Sequence, residues 1–258
     1  MTLPQLSVET IQAFLICLVR VAALIGTLPL YSGGQTPMRV RAGLTVMLTL
    51  MIFPLVRSTL PQTSMEPVSL LILLTGEGMF GLMVGYLARF IFTAVELGGT
   101  VIGYQMGFAA ANVFDPQNQR QVSLISQFQN VLAILIFLSL NIHHYFIRAL
   151  VNSFEMLPPG HWDFSGGAVP YLLELAGKMF VLGIQLSAPV LAVLLLSGLV
   201  LGIMARVFPQ LNVFLLSFPL NIGITFLLMG LTLNLMVALL NQEFSDLEQR
   251  FRLLFEAL

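Results

Sequence analysis

The sequence predicts an all-α, membrane-type protein built from long, kinked helices and helical hairpins. Of its 258 residues, 57% are hydrophobic and only 9% are charged, whereas about 25% of the residues of a soluble domain are charged. So few charges cannot cover the outside of a soluble protein, and the surface has to face lipid or other subunits. The apolar runs are long and lack the period-two alternation of strands, which indicates helices. This composition excludes an ordinary soluble enzyme.

Polar and proline-rich breaks divide the chain into six apolar segments of unequal length. The second has about 15 residues, fewer than the roughly 20 that cross a bilayer, and the third is far too long for one span. Pro219 is expected to kink or break the last segment. The start of the chain does not resemble a cleavable signal peptide, because Arg20 interrupts its apolar run. We therefore expect an uncleaved polytopic membrane protein with apolar segments at 11–30, 42–56, 68–111, 122–142, 171–207 and 211–240.

Several charged residues lie inside these apolar segments, and each is expected to need a partner or water. A charge costs about 2.5–3.5 kcal/mol at the centre of a membrane helix. Arg89 and Glu96 are seven residues apart and share one helix face. Glu174 and Lys178 have the favourable i,i+4 order. We expect these four to form buried ion pairs; the alternative is a self-contained secondary transporter with a proton or ion relay. The charges are Arg20, Glu77, Arg89, Glu96, Glu174 and Lys178, and the relay would use Glu77, Arg89 and Glu96.

Glycines recur at four-residue spacing in three places. This spacing leaves a smooth helix face on which another backbone can approach closely, although glycine is also common in membrane helices in general. Three such repeats in one chain favour close helix packing. The predicted packing positions are Gly81, Gly85, Gly99, Gly198 and Gly202, and the repeat at Gly99 continues through Gly103 and Gly107.

The sequence argues against an enzyme, a cofactor, a metal site and a nucleic-acid partner. A net charge of −1 gives no basic surface for nucleic acid. His143 and His144 are adjacent, so on a helix they point about 100° apart and cannot share a metal ion. Residues 76–81 match the dinucleotide pattern G-x-G-x-x-G, but they lie in an apolar helix rather than after a strand. No hydrolytic motif is present, so no catalytic residue is predicted.

The end of the chain, residues 243–258, has the pattern of an amphipathic helix. Its apolar residues fall on one stripe and its charges fall largely elsewhere. The charges are mixed rather than basic, which favours docking on a partner over lying on a membrane surface.

The stretch from Gly99 to Gln121 is the most informative part of the sequence. A small-residue helix face leads into apolar residues and then into a polar turn, where Pro116 disfavours helix at Asp115. Irregular backbone between apolar helices is tolerated only where protein buries it or where it lines a water-filled cavity. An adaptable apolar rim beside uncharged amides suits a closable path for chemically varied chains; the alternative is a plain extramembrane loop. The rim consists of Met106, Phe108 and Phe114.

Two signatures in the chain resemble the FliR family of flagellar type III export-gate proteins. The first is YQMGFA at 104–109 followed by FDP at 114–116. The second is PQLNVF at 209–214 followed by SFPL at 217–220. The likeness extends over the whole chain in length and in the order of the apolar segments. The injectisome export apparatus has an equivalent component, its T subunit.

This resemblance implies a non-enzymatic subunit of a helical export gate. One copy of the chain would join FliP and FliQ subunits in the flagellar basal body of the bacterial inner membrane, with FlhB and FlhA as further partners. The assembly would lie largely above the plane of the membrane and conduct unfolded flagellar proteins. Residues 1–170 would be a FliP-like part, and residues 171–258 a FliQ-like hairpin with an amphipathic C-terminal helix.

The resemblance also implies a pore plug near residues 106–119. Met106, Phe108 and Phe114 would contribute to an apolar seal that closes the pore. The shape of the plug loop would be set by Gly103, Gly107, Asp115 and Pro116.

Overall fold

The computed structural model describes residues 7–29, 36–107, 123–161, 166–210 and 212–258. Within these ranges the chain forms long α-helices and one short 3-10 turn, and no strand is present. The predicted all-α, membrane-type fold class is therefore confirmed. The helices are α1 (Val8–Thr27), α2 (Met38–Val56), α3 (Pro67–Gln105), α4 (Leu124–Ser139), α5 (Ile142–Met156), α6 (Ala168–Val207), α7 (Val213–Ser245) and α8 (Leu247–Glu256).

Helix α2 is longer than the sequence predicted. It begins at Met38 rather than at residue 42, and the 3-10 turn Arg57–Thr59 continues it to a length of 22 residues. The prediction was wrong because Arg39 and Arg41 interrupt the apolar run, although both belong to the first turn of the helix. A charged first turn is compatible with a membrane helix, since long arginine side chains extend toward the interface. This segment is therefore long enough to span a bilayer.

Three helices continue through a proline. Pro54 lies inside α2, Pro189 inside α6 and Pro219 inside α7. A proline removes one backbone hydrogen bond and disturbs the preceding turn, but Pro219 does not end α7, which continues to Ser245. Of the predicted kink or break at Pro219, the break is therefore absent, and the kink stays a prediction.

Helices α4 and α5 form a bent pair in which the helix direction changes by 64°. Asn141 causes the bend, because its left-handed backbone (φ 55°) interrupts the right-handed helix. Asparagine is one of the few residues other than glycine that adopts this conformation readily.

Among the described residues, five helical stretches are long and apolar enough to cross a membrane, and the bent pair makes a sixth if it forms one span. They include the 39-residue α3 and the 40-residue α6, both longer than a simple span requires. The five stretches are Val8–Thr27, Met38–Thr59, Pro67–Gln105, Ala168–Val207 and Leu215–Glu256.

The chain divides into two compact units, each assembled from separate segments. Unit 1 consists of Met1–Phe90, Asn141–Ala176 and Phe244–Leu258, and unit 2 consists of Ile91–Leu140 and Gly177–Glu243. The predicted division at residue 170 rests on likeness to FliP and FliQ, which the compactness of a single chain does not test. That division therefore stays a prediction.

Candidate functional site

In unit 2, glycines at the end of α3 allow very close contact with the start of α4. A Cβ atom added to Gly99 would lie 2.5 Å from the Cα atom of Ser126, and one added to Gly103 would lie 2.1 Å from the Oγ atom of Ser123. The hydroxyl of Ser126 donates to the backbone carbonyl of Glu96 at 3.1 Å. These contacts hold together the two helix ends that flank residues 108–122.

Gly107 ends this part of α3 in a conformation that disfavours any other residue. Its φ is +98°, a value that costs residues with a Cβ atom about 1–2 kcal/mol. An added Cβ would also lie 2.8 Å from the ring of Phe218. A glycine just past a helix end is the common way to stop a helix and redirect the chain. Gly107 therefore turns the chain away from the axis of α3.

Met106 is buried in the apolar core of unit 2. Its side chain is 1% exposed and belongs to a buried cluster with Ile102, Ile125, Val190, Leu194 and Met229. It therefore fixes the start of the predicted plug loop within the chain's own core. Its contribution to a pore seal stays a prediction. The other predicted plug residues, Phe108, Phe114, Asp115 and Pro116, lie outside the described residues.

The interior of unit 2 contains polar groups without charge. Gln129 is 6% exposed, and its Oε1 atom has no hydrogen-bond partner among the described residues. The same holds for the hydroxyl of the fully buried Thr225. Gln129 lines a small cavity of about 20 Å³ together with Met229 and Thr232. A polar cavity of this size has room for one water molecule. Elsewhere in the unit the hydroxyl of Ser197 and the amide oxygen of Asn221 are hydrogen-bonded at 3.0 Å.

Unit 1 contains a fully buried ion pair between Arg20 on α1 and Glu77 on α3. The guanidinium also donates to the Oγ atom of Ser153 at 3.0 Å and to the carbonyl of Leu157 at 3.2 Å. Its carbon Cζ lies 4.4 Å from the ring centroid of Phe80. Phe154 flanks it as well, at 4.1 Å. The charge is thus compensated by a carboxylate, two oxygen acceptors and two aromatic faces.

Two members of the alternative relay, Glu77 and Arg89, are not neighbours in unit 1. Glu77 pairs with Arg20, whereas Arg89 lies 12 residues further along α3, about 18 Å at ~1.5 Å per residue. Arg89 is also exposed. Glu77 and Arg89 are therefore not in contact.

The four residues predicted to form buried ion pairs are exposed in the single chain: Arg89, Glu96, Glu174 and Lys178. Neighbouring subunits would have to bury these charges. The pairing of these residues in an assembly stays a prediction.

Gly81 and Gly85 lie where α3 meets α1 in unit 1. A Cβ atom added to Gly81 would lie 2.5 Å from the backbone oxygen of Arg20, and one added to Gly85 would lie 1.6 Å from the Oγ1 atom of Thr27. By contrast, no atom of the described residues lies within 4 Å of a Cβ added to Gly198 or Gly202 on α6. The predicted packing role of these two glycines would therefore require another subunit, and it stays a prediction.

The apolar stripe of the C-terminal helix α8 is covered by the chain itself. Within unit 1 the ring of Phe251 contacts Phe146 edge to face at 4.9 Å, and the ring of Phe255 stacks on Phe80 at 5.6 Å. Leu247 and Leu254 are fully buried. The expectation that this stripe docks on a partner is therefore wrong. An apolar stripe predicts burial but does not identify the surface that provides it.

Sequence reasoning missed the pairing of Arg20 with Glu77. The sequence did contain a signal for it. Arg20 is an isolated positive charge in one apolar segment, and Glu77 is an isolated negative charge in another, so the two could neutralise each other. Gly81 lies one turn after Glu77 and contacts the backbone of Arg20, which marks the place where the two helices approach. Among the described residues no three His, Cys, Asp or Glu side chains are grouped so as to hold a metal ion.

The family model for bacterial export proteins, family 1, matches residues 11–247 of the chain. The chain belongs to this family. The predicted resemblance to FliR is confirmed as well, because curated relatives with that name match over most of their length.

Three of these FliR relatives are each named a flagellar biosynthetic protein. The one from Bacillus subtilis is 32% identical over 92% of both chains. The one from Escherichia coli is 33% identical over 89% of this chain and 87% of the relative. The one from Pectobacterium carotovorum subsp. carotovorum is 34% identical over 88% of this chain and 87% of the relative.

Proposed function

We propose that this chain is a non-enzymatic subunit of the flagellar type III protein export gate. One copy joins FliP and FliQ subunits to form the channel through which unfolded flagellar proteins cross the inner membrane. FlhB and FlhA are further partners in the basal body. The membership of the chain in the bacterial export family supports export as the function, and the names of the FliR relatives support the flagellar setting.

The observation that carries the gate proposal is the close glycine packing beside residues 108–122. Gly99 and Gly103 bring α3 against α4, and Gly107 directs the chain out of α3 in a conformation suited to glycine. A loop whose two ends are held this closely can be long and still be aimed at one place. In the proposed gate this loop carries Phe108 and Phe114 into the pore, where they contribute to an apolar seal.

The exposed surface of unit 2 supports assembly with other subunits. Both α6 and α7 expose many large apolar side chains, which a soluble surface would not tolerate as a patch. Lipid or neighbouring helices therefore have to cover them. Examples from α6 and α7 are Leu195, Leu196, Leu199, Ile203, Leu227 and Leu231, each more than half exposed.

The plug assignment is tested by the permeability of the closed gate. Replacing residues 108–114 by a Gly/Ser segment of equal length removes both phenylalanines and keeps the length of the loop. We expect cells carrying this variant with FliP and FliQ to become permeable to ions and small dyes, because the apolar seal is lost. Permeability is measured by dye uptake and by the conductance of the purified complex in a planar bilayer.

The matched control replaces residues 161–167, the last seven residues before α6, by the same Gly/Ser segment. This variant should remain as tight as the unmodified complex. Both variants are first shown to assemble to the same native mass. A 108–114 variant that assembles and does not leak would refute the plug.

A further inference from the structure

One face of α7 packs against the end of α3 in unit 2. Met229 belongs to the buried cluster that contains Met106, and Ile222 packs against that cluster. Thr225, which lies between them along the same face, is fully buried. Phe218 continues this face toward the start of α7, because residues 218, 222, 225 and 229 follow one another at the three- and four-residue spacing of one helix face. The inward-facing row of α7 therefore reaches from the core of unit 2 to Phe218.

The ring of Phe218 fills the place of the side chain that Gly107 lacks. Its atoms Cε1 and Cδ1 lie 2.8 and 2.9 Å from the position of a Cβ added to Gly107, whereas carbon atoms in van der Waals contact are about 3.5–4.0 Å apart. A positive φ alone does not require glycine, since Asn141 adopts φ 55° in this chain. The ring is thus a second and independent reason for glycine at position 107.

Both residues that follow α3 directly are held in unit 2. The side chain of Met106 is 1% exposed, in the cluster that includes Met229 of α7. The N–H of Gly107 donates to the carbonyl of Tyr104 at 3.1 Å, and its Cα atom faces the ring of Phe218. The contact between Gly107 and Phe218 therefore lies at the point where the chain leaves α3 for the predicted plug loop.

The first turns of α7 are held less firmly than its middle. Pro219, directly after Phe218, has no N–H group, so the carbonyl of Leu215 loses its helical donor. Three apolar side chains at this end are exposed by 64%, 44% and 41%: Leu215, Leu216 and Leu220. Segments with few buried contacts and incomplete hydrogen bonding open locally at low cost. The ring of Phe218 can therefore leave Gly107 while the buried face from Ile222 onward stays packed.

We propose that Phe218 is a positioning residue, whose ring on Gly107 holds the start of the predicted plug loop in the closed gate. Displacement of the first turns of α7 removes the ring and frees the chain at Gly107 to turn in another direction. The contact joins a ring to backbone, so breaking it exposes no charge. The consequence for the pore rests on the proposed gate function, whereas the contact itself does not.

The first measurement is the hydrogen exchange of the backbone amides of Met106 and Gly107. It uses the full chain extracted in mild detergent with the subunits that remain bound to it. Phe218→Ala removes the ring and should speed the exchange of both amides about tenfold, because the end of α3 then opens locally. Phe218→Leu keeps part of the apolar contact and should give a smaller increase. Leu220→Ala is the matched control at an exposed leucine of the same helix, and it should leave the exchange unchanged.

A double-variant cycle tests whether Phe218 and Gly107 act as a pair. Gly107→Ala places a methyl group against the ring and should lower the melting temperature. In the Phe218→Ala background the ring is absent, so the same substitution keeps only its φ strain and should lower the melting temperature about half as much. Losses of melting temperature that simply add would show that position 107 requires glycine for its φ alone, which would overturn the proposal.

The permeability of the gate gives the functional outcome. Phe218→Ala should admit dye, because the plug loop is no longer held in place, whereas Leu220→Ala should stay tight. Unchanged hydrogen exchange in Phe218→Ala would overturn the proposal, and so would a tight Phe218→Ala gate beside a leaking replacement of residues 108–114. If that replacement itself stays tight, the plug assignment fails, while faster exchange and a non-additive cycle would still assign the positioning role to Phe218.

Discussion

Helix α3 is held in two different ways in the two compact units. In unit 1 it contacts α1 beside a buried ion pair, in which Glu77 binds Arg20. In unit 2 it contacts α4 through backbone at Gly99 and Gly103, and the buried polar groups nearby carry no charge. A buried ion pair is stable in one geometry only, because separating the charges leaves each of them unsolvated. Contact at glycine brings the two helices close by shape, and a shift between them exposes no buried charge.

Fixed and adjustable structure thus lie in different parts of the chain. The buried ion pair lies in unit 1, whereas the residues that flank the predicted plug loop belong to unit 2. A gate needs a loop that can leave its closed position without unfolding the subunit. We therefore expect opening to involve changes in unit 2 while the Arg20 cluster of unit 1 stays intact.

The largest expected effect comes from breaking the ion pair of unit 1. Arg20→Met leaves the carboxylate of Glu77 buried without its partner, which should lower the free energy of unfolding by about 3–5 kcal/mol. The double variant Arg20→Met/Glu77→Met removes both charges and should recover more than half of that loss. Thermal unfolding in mild detergent measures both variants. Arg57→Met serves as a control at an exposed arginine. If Arg20→Met were as stable as the double variant, the carboxylate of Glu77 would not depend on its buried partner, which would contradict this prediction.

The next effect distinguishes packed glycines from open ones. Gly99→Ala places a methyl group 2.5 Å from the Cα atom of Ser126, so α3 and α4 must separate, at a cost of about 1–3 kcal/mol. Gly202→Ala meets no atom within 4 Å and should stabilise the isolated chain by up to about 1 kcal/mol, because alanine favours helix. Unfolding of the two variants in parallel gives the comparison.

The same Gly202→Ala variant also tests the predicted packing role of that residue in an assembly. If a neighbouring subunit approaches α6 at Gly202, the variant chain will be stable alone and yet fail to form the complex. Normal complex formation would show that the predicted contact at Gly202 is absent.

The smallest effect is expected at the uncharged interior of unit 2. Thr225 is fully buried, and within the described part of the chain its hydroxyl has no hydrogen-bond partner. Thr225→Val keeps the shape and removes an unsatisfied polar group, so stability should stay equal or rise by about 1 kcal/mol. Thr49→Val is the matched control, because the buried hydroxyl of Thr49 donates to the carbonyl of Thr45 at 2.7 Å. Clear destabilisation by Thr225→Val would indicate a bound water or partner at that hydroxyl.

The features that could be predicted from the sequence are those that depend on residues close together in the chain. The helices follow from long apolar runs, and the close contacts at Gly81, Gly85 and Gly99 occur at glycines whose spacing is visible in the chain. The start of α2 was misplaced because Arg39 and Arg41 lower the local apolar character without ending the helix.

Features that depend on tertiary contact could not be read in the same way. Arg20 and Glu77 are 57 residues apart, and only the packing of α1 on α3 shows that they meet. The apolar stripe of α8 predicts that something covers it, but the rings of Phe80 and Phe146 that do so belong to distant segments. The exposed charges such as Glu174 show the same limit, since their predicted burial depends on surfaces outside the chain.

The native mass of the chain shows whether it works as one subunit of an export gate. The chain is extracted in mild detergent after expression alone, and again after expression with FliP and FliQ. The account predicts a discrete complex containing one copy of this chain, formed only when both partners are present. A stable, monodisperse species formed without them, with no larger complex in their presence, would contradict it and would favour a self-contained transporter.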